Sequence, residues 1–261
     1  MTSHPLDDAR LKIVWADKHL ETFKRVAGEY VKTKPNTIAI ENTHESFQAM
    51  LREEAVPGPP DDLRCIAGDC VTNARAALDY IVWALASKYF SPVFDNANRN
   101  DRRITAFPLT RDPTDKGYAD RLNCLSNRQI PAGAIDEIKR VQPFNARYAP
   151  LWNLHQIVNR DKHRLPALIA GRITAIGPMS ISAISDDGKR VDTAVGIGIA
   201  NGVDIDTSHL SGYFKVQVHT NAALYVTFSD PPMPSRQPAD VTLEEIVECV
   251  AEVIQGFSRF F

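Results

Sequence analysis

Cysteine is scarce: Cys65, Cys70, Cys124 and Cys249 are the whole complement of a 261-residue chain. None forms a C-x-x-C pair. Cys65 and Cys70 fall on one predicted helix at a spacing unsuited to a bridge or to two zinc ligands. All four are read as free thiols packed as small hydrophobes in a reducing compartment, the cytoplasm. Long apolar runs are missing too: no stretch approaches the ~20 residues of a membrane-spanning helix, so no membrane partner is expected. The segment Met1-Thr2-Ser3-His4-Pro5-Leu6-Asp7-Asp8 has no basic stretch leading into an apolar one, so no signal peptide is expected. The net charge is only −2, which excludes a global field drawing the molecule onto nucleic acid or anionic lipid.

Several catalytic signatures are absent as well. There is no G-x-x-x-x-G-K-[ST] to cradle a nucleotide phosphate, no H-E-x-x-H to hold zinc, and no G-x-S-x-G to present a serine nucleophile. Gly196-Ile197-Gly198 lies in a strand and hairpin context without a following helix, so it is not a dinucleotide fingerprint. His155 and His163 are eight apart, far looser than the i, i+4 pair with which a helix clamps a metal. No cofactor and no metal are expected.

What is present is a succession of helices followed by strands. Residues 7–31 read as a helix whose stripe runs through Leu11, Trp15, His19, Phe23, Val26 and Tyr30. Residues 35–41 alternate and read as a short strand. Pro57-Gly58-Pro59-Pro60 breaks the chain, and Asp61 or Asp62 is expected to cap a second helix over 61–89. Residues 95–103 read as a solvated loop, after which Ile104 to Leu109 returns to the body of the fold. A helix is expected from Pro131 to about Val141, and another from Pro150 to near Arg164, before Pro166.

From about Ala167 the period changes from 3.6 to 2. Strands are expected at 179–184, 195–199, 213–219 and 224–228, with turn signals at Asp186-Asp187-Gly188 and Asn201-Gly202, forming an antiparallel meander. Thr242 and Glu245 read as the capping box of a closing helix with Ile246, Val250, Val253, Ile254 and Phe257 on its apolar face. The fold class is α+β: an N-terminal helical bundle, a β-meander and a closing C-terminal helix. One compact unit over 1–261 is expected, mainly helical to 166, with the meander at 167–230 and the closing helix at 240–261.

Two of these helices carry polar residues where an amphipathic helix should be apolar. On the first, Asp69, Asn73, Ala76 and Tyr80 form a stripe beside the apolar face. Arg75 and Asp79 stand four apart on a further flank, where a surface ion pair is the plain reading. On the second, Leu151, His155, Val158, Asn159 and Lys162 share a face, with Trp152 and His163 at its edge. Buried polar groups cost free energy unless paired, so two such helices imply a partnered network or a site. As a site, Asp69 and Asn73 would face His155, Asn159, Lys162 and His163, with either histidine as acid or base and Lys162 as a cationic stabiliser. As a network, the same residues hold the helices in register.

Local charge is uneven. Between Lys139 and Arg164 stand Lys139, Arg140, Arg147, Arg160, Lys162 and Arg164, with Asp161 as the single acid. Phosphate or an RNA backbone is a partner suited to such a stretch; a solvated helix C-terminus complementing its dipole is the other reading.

The segment Ala67-Gly68-Asp69-Cys70-Val71-Thr72-Asn73-Ala74-Arg75-Ala76-Ala77-Leu78-Asp79-Tyr80, taken with Pro150 to His155 and Asp161-Lys162-His163-Arg164, resembles a family of uncharacterised bacterial proteins. The likeness covers most of the chain, including Phe107-Pro108 and Gln142-Pro143-Phe144, and implies no particular activity. In that family's pattern histidines often stand where this chain has Thr72 and Tyr80. A second resemblance is to HEPN-type helical ribonucleases, whose active site pairs an arginine with a histidine a few residues on. Arg75 stands in the arginine's place, but the residue five along is Tyr80, and His155 or His163 would have to take the histidine's part.

The leading expectation is an anion- or RNA-binding site between the two polar helices, extending to a metal-independent ribonuclease of HEPN-like character. His155 or His163 would move protons and Asp69 and Asn73 would orient them. Arg75, Asn159, Arg160, Lys162 and Arg164 would contact the ligand. The alternative is a non-catalytic interaction protein in which these residues are structural. The sequence leaves the oligomeric state open.

Overall fold

The structure, a computed structural model, describes residues 4–33, 38–39, 48–49, 52–53, 58–90, 105–173, 179–185, 190–195, 203–204, 214–219, 223–230 and 237–261. The loop read at 95–103, most of the strand read at 35–41, the 196–199 part of the strand read at 195–199, and the turns at Asp186-Asp187-Gly188 and Asn201-Gly202 lie outside the described residues. The architecture is α+β. Among the described residues are six α-helices: α1 (Asp7–Lys32), α2 (Asp61–Tyr89), α3 (Lys116–Asn127), α4 (Ala132–Arg140), α5 (Pro150–Asp161) and α6 (Ala239–Phe257). The strands are β1 (Ile38–Ala39), β2 (Gln48–Ala49), β3 (Arg52–Glu53), β4 (Ala167–Ile173), β5 (Met179–Ser185), β6 (Arg190–Val195), β7 (Val203–Asp204), β8 (Phe214–His219) and β9 (Ala223–Asp230). No described helix is long and apolar enough to cross a membrane.

Where the sequence reads as one compact unit, the contacts gather the chain into two. The first comprises residues 1–27, 60–169 and 227–261; the second comprises 28–59 and 170–226.

In the first unit, α2, α5 and α6 pack against one another in all three pairings. Their shared core includes Leu78, Ile81, Leu151, Leu154, Ile157, Leu243, Ile246, Val250 and Val253, each fully buried. Burial of such a side chain contributes about 1.5–3 kcal/mol relative to exposure, so this three-helix contact carries much of the unit's stability. The bounds of α2 match the sequence reading, but its start does not use the expected cap. Pro60 is the N-cap residue and makes no side-chain bond; Asp61 and Asp62 lie in the first turn, where their charge complements the helix dipole. The capping box expected on α6 is likewise absent. The helix begins four residues earlier than that box requires, and the Thr242 hydroxyl donates back to the Pro238 carbonyl at 3.3 Å. Gln237 takes over locally, donating to Glu245 at 2.8 Å and to Thr242 at 3.2 Å.

α1 departs from its predicted stripe. Phe23 and Tyr30 are buried, but Leu11 and Trp15 are 57% and 47% exposed. The buried side runs through Ala9, Ala16, Leu20, Phe23 and Tyr30. Two of these five residues are alanines, and a pattern weighted toward large apolar residues passes over them. The cysteine reading also needs correction: all four are free, but only Cys70 and Cys249 are buried, and Cys65 is exposed.

A helix unforeseen in the sequence, α3, starts where the Asp115 carboxylate accepts the Tyr118 backbone N–H at 2.6 Å. It ends at Asn127; beyond it Gln129, with a φ of 68°, and bonds from Gln129 N to Ser126 O and Ile130 N to Leu125 O close the turn into α4.

In the second unit, β5 pairs antiparallel with β6 on one side and β8 on the other, giving the order β6-β5-β8. Ile181 faces Thr193 in one register and Val218 in the other. β6 begins at Arg190, earlier than the strand read at 195–199. β8 follows on the far edge of β5 rather than beside β6, so a simple up-and-down succession is replaced by a crossover. β1 pairs with β3 and β2 with β7. β4 pairs with β9, and residues 167–169 and 227–230 of these two strands belong to the first unit.

Candidate functional site

α2 and α5 cross with opposite chain directions. Arg64 Nε donates to the Pro166 carbonyl at 3.0 Å, just beyond α5, and the Thr72 hydroxyl donates to Asp161 Oδ2 at 3.4 Å. At Gly68 the Asp161 carboxylate occupies the place of a side chain: a Cβ there would lie 2.5 Å from Asp161 Oδ1. The face that α2 turns to α5 is therefore Gly68, Thr72 and Arg75, at helical i, i+4, i+7 spacing. The expected stripe of Asp69, Asn73, Ala76 and Tyr80 is offset from it by about 100°, the angle of a single residue.

Asn73 turns the other way. Its Oδ1 accepts from Lys12 Nζ of α1 at 3.2 Å, and its Nδ2 donates to the Asp69 carbonyl of its own helix at 2.8 Å. Asp69 is exposed, and its charge acts on Asp161 rather than on a histidine. Burial raises the Asp161 carboxyl above its ordinary range, the Thr72 hydroxyl opposes that rise, and Asp69 adds to it. His163 is exposed on the tight turn that follows α5, where its N–H meets the Arg160 carbonyl at 3.0 Å. α5 ends at Asp161, short of the expected Arg164, so Lys162, His163 and Arg164 sit on this turn instead of on a helical face. Arg160 is half-buried and Arg164 exposed.

The residues the fold does bring together are Arg75, Asp79, His155, Asn159 and Lys162. Arg75 and Asp79 form an ion pair at 2.8 Å, with side chains 16% and 34% exposed, so the surface-pair reading is overturned. Both grip one residue from another part of the chain: Arg75 Nη2 donates to the Phe107 carbonyl at 2.7 Å, and Asp79 Oδ1 accepts the Phe107 N–H at 2.8 Å. The Phe107 ring is fully buried and meets Phe257 of α6 edge-on, at 6.1 Å between centroids. Fully buried Gln142 fixes the next residues, accepting from Thr110 N at 3.0 Å and donating to the Pro108 carbonyl at 2.8 Å. The Phe107-Pro108 and Gln142 landmarks thus hold each other in place.

The clamp on residues 107–110 leads to Arg111, whose guanidinium carbon lies 5.6 Å from the centre of the Trp152 ring. Trp152 in turn stacks with His155, one helical turn on, at 5.0 Å and an interplanar angle of 26°. His155 is half-buried, and its Nε2 lies 2.9 Å from Asn159 Nδ2. With that amide donating, a neutral ring carries its proton on Nδ1.

Burial holds the His155 imidazole below its ordinary pKa, and the charges of Arg75, Lys162 and Arg121 push it the same way. Burial raises Asp79, against the pull of Arg75, the Phe107 N–H and Lys162. Among the described residues, neither Lys162 nor Arg121 has an acidic partner at ion-pairing distance. His155 is thus a half-buried imidazole on which the charges of three cations act, and one of these, Arg75, is ion-paired to Asp79. Among the described residues, no group of three or more His, Cys, Asp or Glu side chains is placed to hold a metal ion.

Arg111, Arg121 and Asp79 were not among the expected ligand contacts. Asp79 was visible by its spacing from Arg75; Arg121 became visible only with α3. Comparison of the chain with protein-family models, curated proteins and solved structures finds no match.

Proposed function

We propose that the cluster at the crossing of α2 and α5 binds an anion of the phosphodiester class, with an RNA backbone as the cytoplasmic ligand. The observation that carries this is the surplus of cations: Arg75, Lys162 and Arg121 all act on one half-buried histidine, and the latter two have no acidic partner at ion-pairing distance among the described residues, although the charge of Lys162 also reaches Asp79. Like charges gathered in one place repel, and an anion relieves that repulsion. A neutral imidazole adds an N–H donor at Nδ1. Lys162, exposed beside it, supplies a point charge to phosphate.

In the catalytic form of this reading, His155 takes a proton from a ribose 2′-hydroxyl while Arg75 and Lys162 hold the neighbouring phosphate, as in a metal-independent ribonuclease of HEPN-like character. Its lowered pKa keeps the ring in the form that accepts a proton at neutral pH. Nε2 becomes free for this only when the Asn159 amide swings away. Asn73 has no part in this form, since its side chain is bonded to Lys12 of α1 and to its own helix.

A second reading has its own support. Arg75 and Asp79 hold the Phe107 backbone, which makes them structural whatever else the cluster does. Replacing His155 with alanine separates the readings. Retained melting temperature with at least tenfold weaker binding of an RNA pool supports the site. A large loss of stability with unchanged binding per folded molecule supports a structural role. Cleavage of the pool by the native chain and not by His155→Ala supports the catalytic form.

A further inference from the structure

A bare anion needs only the cations, yet the same cluster contains planar groups. Trp152 and His155 stack at 5.0 Å, and the Arg111 guanidinium sits over the Trp152 ring. Trp152 and His155 are half-buried and Arg111 is exposed, so the group lies at the surface. They lie beside the groups that would hold phosphate: the charges of Arg75 and Lys162 both act on His155. A stacking platform next to a cationic patch matches a nucleotide unit, which carries a flat apolar base and an anionic phosphate a short distance apart. Duplex RNA keeps its base faces within its own stack and offers a protein mainly backbone, whereas an unpaired strand can lay a base on an aromatic ring or a guanidinium plane.

We infer that this site takes single-stranded RNA, with an unpaired base lying against the Trp152–His155 ring pair and the adjoining phosphate facing Lys162 and Arg75. This rests on the anion-binding reading above and narrows it to a ligand class.

The test is a competition assay on the full chain, with a fluorescent single-stranded RNA oligomer of mixed sequence as probe. The competitors are the unlabelled strand, the same strand annealed to its complement, an abasic strand of equal length and charge, and inorganic polyphosphate. The unlabelled strand is expected to compete at least tenfold better than the other three, the scale of base–aromatic stacking. Trp152→Phe, which keeps a ring, holds affinity within about threefold, while Trp152→Leu loses about tenfold. The competitor series on the native chain decides the matter whether or not Trp152→Leu folds. Equal competition by the abasic strand or polyphosphate overturns the stacking inference and leaves anion binding standing. Equal competition by the duplex overturns the single-strand preference. If no probe binds, both the inference and the reading beneath it fail.

Discussion

The first unit contains two dense clusters of charge, and they are built in opposite ways. At the junction of α4, the 146–148 turn and α6, Glu137 is almost fully buried and receives two bonds from Arg140, at 2.6 and 2.8 Å, and one from Arg259 at 2.9 Å. The Tyr148 hydroxyl accepts from Arg140 at 2.5 Å and donates to Glu252 at 2.7 Å, while Arg147 pairs with Glu252 at 2.9 Å. Every charge there faces its complement, and bonds from the arginines hold both carboxyls below the usual range. At the crossing of α2 and α5, the charges of Arg75, Lys162 and Arg121 act on one histidine, and among the described residues Asp79 is ion-paired to Arg75 alone of the three. The first arrangement is complete in itself and reads as an internal staple. The second leaves Lys162 and Arg121 without an ion-paired acid among the described residues. Charge density alone does not separate a staple from a site; the balance of signs does.

The largest expected effect breaks the staple. Glu137→Ala leaves two arginines without their carboxylate and opens space under Gly256, whose missing Cβ would lie 2.5 Å from Glu137 Oε1. Because both arginines keep access to water, the cost is about 2–3 kcal/mol rather than the full penalty of a buried unpaired charge. Urea denaturation measures it, and RNA binding per folded molecule should not change. The sign of the pKa shift sets the pH dependence. The folded Glu137 value is lowered, so its contribution is present above the unfolded value near ~4.3 and fades as pH falls through the folded one.

Asp79 tests the site side of the contrast. Asp79→Ala strips the Phe107 N–H of its acceptor and should cost about 1–2 kcal/mol in the same denaturation experiment. Asp79→Asn keeps an oxygen for that N–H and removes the negative charge paired to Arg75. RNA affinity should then rise by about threefold at low salt. A fall in affinity would place Asp79 among the ligand contacts instead.

How far these features were legible in the sequence differs between fold and site. The bounds of α2 and the α+β order follow from long periodic segments and from the change of period near Ala167. Gly68 and Thr72 were not seen as the contact with α5, because the sequence singles out Asp69 and Asn73 as polar and cannot fix helix rotation to within one residue. The grip of Arg75 and Asp79 on Phe107 is a contact across 28 to 32 residues of chain, which no local pattern encodes. Arg121 was missed with α3, whose one strong signal is the Asp115 cap. His155 and Asn159 stand out in the sequence because polar side chains share a helical face with Leu151 and Val158, a local signal, whereas Lys162, read onto that face, lies on the turn beyond α5.

Two smaller effects concern titration. The folded His155 value is lowered, so between it and the unfolded value near ~6.5 the unfolded chain binds more protons. Stability should rise with pH through that window, and His155→Gln should flatten the rise in melts taken from pH 5 to 8. Asp161 is raised, so ionising it in the folded state carries a small penalty at neutral pH. Asp161→Asn should leave the melting temperature at pH 7 unchanged or slightly higher.

The unbalanced cations are tested most directly by binding a single-stranded RNA oligomer across a series of salt concentrations, comparing the native chain with Arg121→Ala/Lys162→Ala. Both side chains are exposed, so the melting temperature should stay the same. The expected result is weaker binding and a shallower salt slope, lower by about one phosphate contact for each cation removed. Identical affinity and slope in the two proteins would contradict the claim that these cations await an anion.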